Sequence, residues 1–174
     1  MPGPRVVLIG PPGSGKSAVG KRVARRLDVE WRDTDDDVAA TAGKSIPDIF
    51  VEDGEPRFRE LERDAVATAL AEHEGVLSLG GGAVLDTTTD ALLTRYGAEG
   101  GSVVFLDVSL ARAAPRVGLN RSRPLLVGNP RQQWKALMDA RRPVYERLAT
   151  MVVDTDDITP DEAARRIAED MGGR

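Results

Sequence analysis

The sequence predicts one three-layer α/β domain built on a parallel sheet. Three observations carry that expectation. About five short apolar runs read as buried strands, helical segments alternate with them, and a glycine-rich turn after the first run opens a helix. The 174 residues suit a single domain over 1–174, without internal repeat or linker.

The first strand is Arg5-Val6-Val7-Leu8-Ile9, broken at Gly10-Pro11-Pro12-Gly13-Ser14-Gly15. A helix follows from Lys16 to about Leu27, with Val19, Val23 and Leu27 on one face at spacing four. A second strand runs through Val29-Glu30-Trp31-Arg32 and ends at Asp33-Thr34-Asp35. From Asp36 to about Glu74 the chain is helical, interrupted at Gly43–Pro47 and Asp53-Gly54; its longest helix spans about Pro56 to Ala71. Val76-Leu77-Ser78-Leu79 is the third strand, ended by Gly80-Gly81-Gly82. A helix near Asp90 to Tyr96 leads through the turn Gly97–Gly101 to a fourth strand, Val103-Val104-Phe105-Leu106. A helix over Leu110–Val117, a long loop from Gly118 to about Arg131 and a helix from about Gln132 to Thr150 follow. Met151-Val152-Val153 is the fifth strand, and Thr159-Pro160-Asp161-Glu162 starts the last helix.

Composition narrows the function classes. Hydrophobic residues are 41% and charged residues 30%, the balance of a globular chain rather than a disordered one. No apolar run approaches the roughly 20 residues of a membrane span. Met1-Pro2-Gly3-Pro4-Arg5 is too short and polar for a secretory signal, so a cytoplasmic protein is expected. The absence of cysteine excludes disulfides, thiolate zinc sites and cysteine nucleophiles, and the single histidine, His73, argues against a His-rich metal site. A net charge of −4, with 4% aromatic residues, gives no electrostatic or stacking reason to bind nucleic acid.

Gly10-Pro11-Pro12-Gly13-Ser14-Gly15-Lys16-Ser17 matches G-x-x-x-x-G-K-[ST] at every position. Such a loop curls until successive N–H groups face phosphate oxygens, with a helix amino terminus behind them. Lys16 then reaches the β- and γ-phosphates, and Ser17 offers a hydroxyl to Mg²⁺. A nucleoside triphosphate is therefore the expected ligand; hydrolysis, switching and phosphoryl transfer all remain open on this loop alone.

Asp33 and Asp35 stand two residues apart at the carboxyl end of the second strand, where a parallel sheet opens its ligand crevice. If strand geometry persists, both point to one face. One carboxylate there can orient Mg²⁺ and the other accept a proton from an attacking hydroxyl. The third strand ends in Gly80-Gly81-Gly82 without the metal-binding Asp found in many ATPases, which disfavours a motor or GTPase. Three glycines at a strand end read as close backbone approach to a ligand or as a flexible turn. Trp31, Trp134 and His73 read as ordinary core or surface residues, and Phe50 and Phe58 as core or as walls of a ligand site.

The phosphate loop, Asp33-Thr34-Asp35, Phe58-Arg59, Gly80-Gly81-Gly82, Arg123-Pro124-Leu125-Leu126, and Arg141 with Pro143 and Tyr145 occur in this order. The chain thereby resembles the shikimate kinase family, from about residue 5 to about residue 168. The resemblance implies a nucleoside-monophosphate-kinase-like fold with five parallel strands in the order 2-3-1-4-5. It implies an acceptor-binding helical segment at about 36–64 and a mobile lid at about 118–131. It implies transfer of the γ-phosphoryl group of ATP to the 3-hydroxyl of shikimate, a step of aromatic amino-acid biosynthesis, with Mg²⁺ required. Residue by residue, it places Gly13, Ser14, Gly15, Lys16, Ser17 and Ala18 on the nucleotide, with Arg116 and Pro160 on the adenine side. Ser17 and Asp33 fall on the metal position and Asp35 on the proposed general base. Arg59 and Arg141 fall on the arginines that bind the shikimate carboxylate, and Gly80, Gly81 and Gly82 on the shikimate-facing glycines. Arg123 falls on the lid arginine that reaches the transferring phosphate, although Arg121 offers a second guanidinium nearby. Ala18 stands where relatives commonly have threonine, and the Arg95–Ser102 stretch is longer than usual. The expected enzyme is a monomer. Competing readings are a gluconate kinase, a nucleoside-monophosphate kinase, and a catalytically silent nucleotide-binding module.

Overall fold

The computed structural model describes residues 3–117 and 129–173. Arg121, Arg123 and the whole Arg123–Leu126 motif lie outside those residues. Five strands form one sheet: β1 (Val6–Ile9), β2 (Trp31–Asp33), β3 (Val76–Ser78), β4 (Val103–Asp107) and β5 (Met151–Asp154). Every pairing is parallel and the order is β2-β3-β1-β4-β5, as the resemblance implies. Val7 sits opposite Leu77 on one side and Val103 on the other, so β1 is the central strand.

Alternation along the strands splits the core into two layers. Val7, Ile9, Leu77, Val103 and Phe105 face one cluster; Val6, Leu8, Val76, Val104 and Leu106 face the other. The second layer is covered by α1 (Lys16–Leu27) and α8 (Pro160–Gly172), through Val19, Val23, Ala163 and Ile167. The first is covered by α4 (Glu55–Glu72), α5 (Thr87–Ala98), α6 (Leu110–Val117) and α7 (Pro130–Leu148). The short helices α2 (Thr34–Ala42) and α3 (Ile46–Glu52) pack on the start of α4 around Val38, Ile49, Phe58 and Leu61. That small separate core is the scaffold of the 36–64 segment.

Boundaries moved where capping chemistry overrides periodicity. Asp86 accepts a hydrogen bond from Thr89 N–H, so α5 starts at Thr87 rather than near Asp90. Asn129 caps α7, which begins at Pro130, so residues 130 and 131 are helix rather than loop. Asp33 caps α2, which ends β2 two residues early. Phe50 and Phe58 pack on each other with ring centroids 4.7 Å apart, and Phe58 is core. Asp156 N–H donates to Asp154 Oδ1, framing the turn before α8.

A cavity of about 670 Å³ opens at the amino ends of β1 and β4, lined by Arg5, Leu70, Leu92, Tyr96 and Gly101 among others. The nucleotide loop and the acidic and glycine motifs all lie at the opposite, carboxyl ends of the strands, where ligands bind in parallel sheets.

Candidate active site

The phosphate loop leaves β1 and enters α1. Gly13 and Gly15 have φ of +85° and +90°, a left-handed region that strains any residue with a side chain. Gly15 caps α1 without a side-chain hydrogen bond, and the first turn holds no acidic residue. The amino terminus of α1 is thus open to an anion. Lys16 folds back over the loop: its Nζ donates to the Gly10 carbonyl at 2.8 Å and the Pro11 carbonyl at 3.0 Å. Burial lowers its pKa to about 8, against the pull of Asp35 and Asp33.

Asp33 and Asp35 do flank this lysine, but not through strand alternation. Asp35 lies in the first turn of α2, and its N–H donates to Asp33 Oδ1 at 2.8 Å. The cap, rather than the pleat, holds the two carboxylates on the lysine side. Ser17 Oγ donates to Asp33 Oδ2 at 3.4 Å. Burial raises the pKa of Asp33, opposed first by the Asp35 N–H. Burial also raises Asp35, to about 6, reinforced by the negative charges of Asp33 and Glu62.

The triple glycine is the hub, and close approach rather than flexibility explains it. A Cβ at Gly80 would stand 2.8 Å from Glu62 Oε2 and 2.9 Å from Asp35 Oδ1. One at Gly81 would meet Pro12 Cδ at 3.1 Å and Arg141 at 3.3 Å. One at Gly82 would meet both terminal nitrogens of Arg59 at 2.8 Å and Arg141 at 3.1 Å. Two arginines 82 positions apart in the chain therefore converge on one glycine. Arg141 is 7% exposed, and its Nε is buried with no hydrogen-bond partner. A buried cation with an unsatisfied donor calls for an anion.

Three supporting residues were given no role in the site by the sequence reading, although Tyr145 belongs to the Arg141–Pro143–Tyr145 motif. Glu62, 3% exposed, accepts from Arg59 at 2.7 Å and carries a pKa raised by burial. Its signal was the i, i+3 spacing from Arg59 on one helix. Tyr145 stacks on Phe105 and donates to the Gly81 carbonyl at 2.5 Å, one turn after Arg141. Trp134 is 6% exposed, and its Nε1 donates to the Pro12 carbonyl at 3.1 Å, a contact that no sequence spacing announces. Arg116 donates to the Gly13 carbonyl at 3.0 Å, which puts it beside the loop. Ala18 follows the loop inside α1, and Pro160 is exposed at the start of α8.

Among the described residues no cluster of three or more Asp, Glu, His or Cys side chains could hold a metal. The Ser17 hydroxyl and the Asp33 carboxylate form a two-oxygen set beside the loop. That set suits Mg²⁺, which keeps several waters and takes further ligands from phosphates.

The family model described as shikimate kinase matches residues 12–172. A shikimate kinase of Streptomyces coelicolor is 53% identical over 165 residues, 95% of this chain and 94% of that protein. One from Saccharopolyspora erythraea is 55% identical over 167 residues, 95% and 93% of the two chains. Among solved structures, the shikimate kinase of Acinetobacter baumannii in complex with shikimate superposes with a TM-score of 0.89 at 29% identity, covering 99% of this chain and 94% of that one. A gluconokinase from Sinorhizobium meliloti, at 21% identity and a TM-score of 0.58, shares the fold alone. Sequence, architecture and the convergence of both arginines on one glycine motif agree: the chain belongs to the shikimate kinase family.

Proposed function

We propose that this protein is an ATP-dependent shikimate kinase, forming shikimate 3-phosphate and ADP. The observation that carries the reading is the Arg59–Arg141 pair over Gly82, one wall of a site whose other walls are Asp35 and the phosphate loop. Two guanidiniums suit a carboxylate taken out of water. Asp35 then stands over the ring hydroxyls, and its pKa of about 6 keeps it ionised yet basic at neutral pH.

The acceptor hydroxyl oxygen attacks the γ-phosphorus while the bond to the β-bridging oxygen breaks. The hydroxyl proton passes to Asp35 Oδ, and ADP leaves with the bridging electron pair. Lys16 exchanges its loop carbonyls for β- and γ-phosphate oxygens, and the loop amides hold the remainder. Ser17 and Asp33 would hold Mg²⁺, which would supply charge neutralisation to the triphosphate. Charge on the transferring group spreads over its equatorial oxygens, and the sequence motif assigns Arg123 to them. Arg116 and Pro160 are assigned to the adenine side on the same basis. The enzyme acts as a cytoplasmic monomer without a nucleic-acid partner; among the described residues no helix is long and apolar enough to cross a membrane.

A coupled ADP-release assay with shikimate, gluconate and AMP as rival acceptors tests this. Turnover with shikimate and not with the other two is expected. Turnover confined to gluconate or AMP refutes it.

A further inference from the structure

We propose that Trp134 is a positioning residue for the phosphate loop: its indole N–H fixes the Pro12–Gly13 peptide so that the Gly13 amide faces the nucleotide phosphates. The proposal rests on the nucleotide reading of the loop given above. Pro12 has no N–H, so its carbonyl is the one main-chain group it can anchor. That carbonyl accepts from Trp134 Nε1 at 3.1 Å, across 122 residues of sequence. A trans peptide is planar, with C=O and N–H pointing in opposite directions. Holding the Pro12 oxygen toward α7 therefore turns the Gly13 N–H the other way.

The Ser14 N–H donates to the Pro11 carbonyl at 3.2 Å and closes the turn, but among the described residues no hydrogen bond other than the indole's reaches the Pro12–Gly13 peptide itself. Gly13 has φ +85° and, like any glycine, crosses between backbone wells at little cost, so the peptide can rotate unless something grips it. A Cβ on Gly13 would meet Val117 Cγ1 at 3.0 Å and Ala113 at 3.1 Å, and Arg116 donates to the Gly13 carbonyl at 3.0 Å, which belongs to the next peptide, Gly13–Ser14. These limit translation of the loop crest but not the direction of its dipole. The indole supplies that direction, from a ring that is 6% exposed within the core layer over β1 and β4. Trp31 makes a parallel contact at the other end of the loop. Its Nε1 donates to Ser78 Oγ at 3.1 Å, and Ser78 Oγ donates to the Lys16 carbonyl at 3.1 Å. Trp31 reaches the backbone only through this intermediary, whereas Trp134 acts on the loop directly.

The test is Trp134→Phe, which keeps an aromatic ring and removes the donor. The expected result is a rise of about threefold to tenfold in KM for ATP and in Kd for ADP, the effect of one net hydrogen bond. KM for shikimate should stay within twofold. A merely structural role would lower the melting temperature and the active fraction without this split between substrates. Unchanged KM for ATP and Kd for ADP in a folded variant overturn the proposal. Should Trp134→Phe fail to fold, Trp31→Phe leaves Trp134 as the single tryptophan. Its emission should then change on titration with ADP and Mg²⁺, and an emission indifferent to saturating ADP overturns the proposal. Absence of shikimate-dependent ADP release in the unsubstituted protein would sink the acceptor assignment alone, because the ADP-binding arms judge Trp134 independently.

Discussion

Gly82→Ala separates the acceptor clamp from the rest of the enzyme. The backbone there, at φ −95° and ψ −2°, is one that residues other than glycine adopt, so alanine adds no main-chain strain. Its methyl would instead stand 2.8 Å from both terminal nitrogens of Arg59 and 3.1 Å from one of Arg141. Comfortable contact needs about 3.5 Å, so each guanidinium must retreat by roughly half an ångström. Arg59, with 31% of its side chain exposed, has room to swing. Arg141 is packed at 7% exposure and must shift against its neighbours. A charge-assisted hydrogen bond contributes about 1.5–3 kcal/mol and weakens steeply with misalignment. Misplacing one or both forks should therefore raise KM for shikimate about 10- to 100-fold.

The same geometry limits the damage elsewhere. Only the far ends of two long side chains are displaced, so the melting temperature should fall by no more than about 2–4 °C. KM for ATP should stay within twofold. The assay is coupled ADP release with varied shikimate at saturating ATP, beside calorimetry. Gly80→Ala supplies the contrast, since its methyl would crowd Asp35 Oδ1 at 2.9 Å and Glu62 Oε2 at 2.8 Å and should lower kcat first. A folded Gly82→Ala enzyme whose KM for shikimate stays within twofold of the parent would show that the two arginines do not grip the acceptor.

Other expectations concern the base, the lysine and the clamp. Asp35 must be ionised to take a proton and Lys16 protonated to hold phosphate. A plot of kcat/KM for shikimate should therefore fall as pH drops through about 6 and fall again as it rises through about 8; a flat profile from pH 5.5 to 7 would remove Asp35 as the base. Asp35→Asn should reduce kcat by about 100-fold or more while Kd for ADP stays within about twofold, measured by single turnover and calorimetry; wild-type rates would refute its role. Arg141→Lys keeps the charge but loses the planar fork, and should raise KM for shikimate about tenfold in steady-state assays. An unchanged KM would take Arg141 out of the site.

What the sequence made legible follows from what each signal depends on. The phosphate loop and α1 were readable because their function is written in consecutive residues: glycines where φ must be positive, lysine and serine where the helix begins. Strand order was not readable from periodicity, since alternation reports buried faces and not neighbours; it came through the family resemblance. The acidic pair was found for a reason the structure replaces. Asp33 is both the last residue of β2 and the cap of α2, and the strand pattern stops there, so Asp35 sits in the first helical turn with its N–H on Asp33.

The residues that escaped share a different property. Glu62 and Trp134 lie outside the quoted motifs, and Tyr145 lies in one without a role assigned to it; each contacts the Arg59 guanidinium or a loop carbonyl. Contacts of that kind are fixed by helix placement, and helix placement is set by the whole core. α7 shows this most directly. Its first turns hold the phosphate loop through Trp134, its middle brings Arg141 over the glycine motif, and the next turn pins Gly81 through Tyr145. Three residues spaced along one helix thus tie together the carboxyl ends of β1 and β3. The space that side chains on those glycines would take is filled by Arg141 of α7 together with Arg59 and Glu62 of α4 and Asp35 of α2. An enzyme that must bring a triphosphate and an acid into line gains from such an arrangement, since one rigid element sets the distance between both subsites.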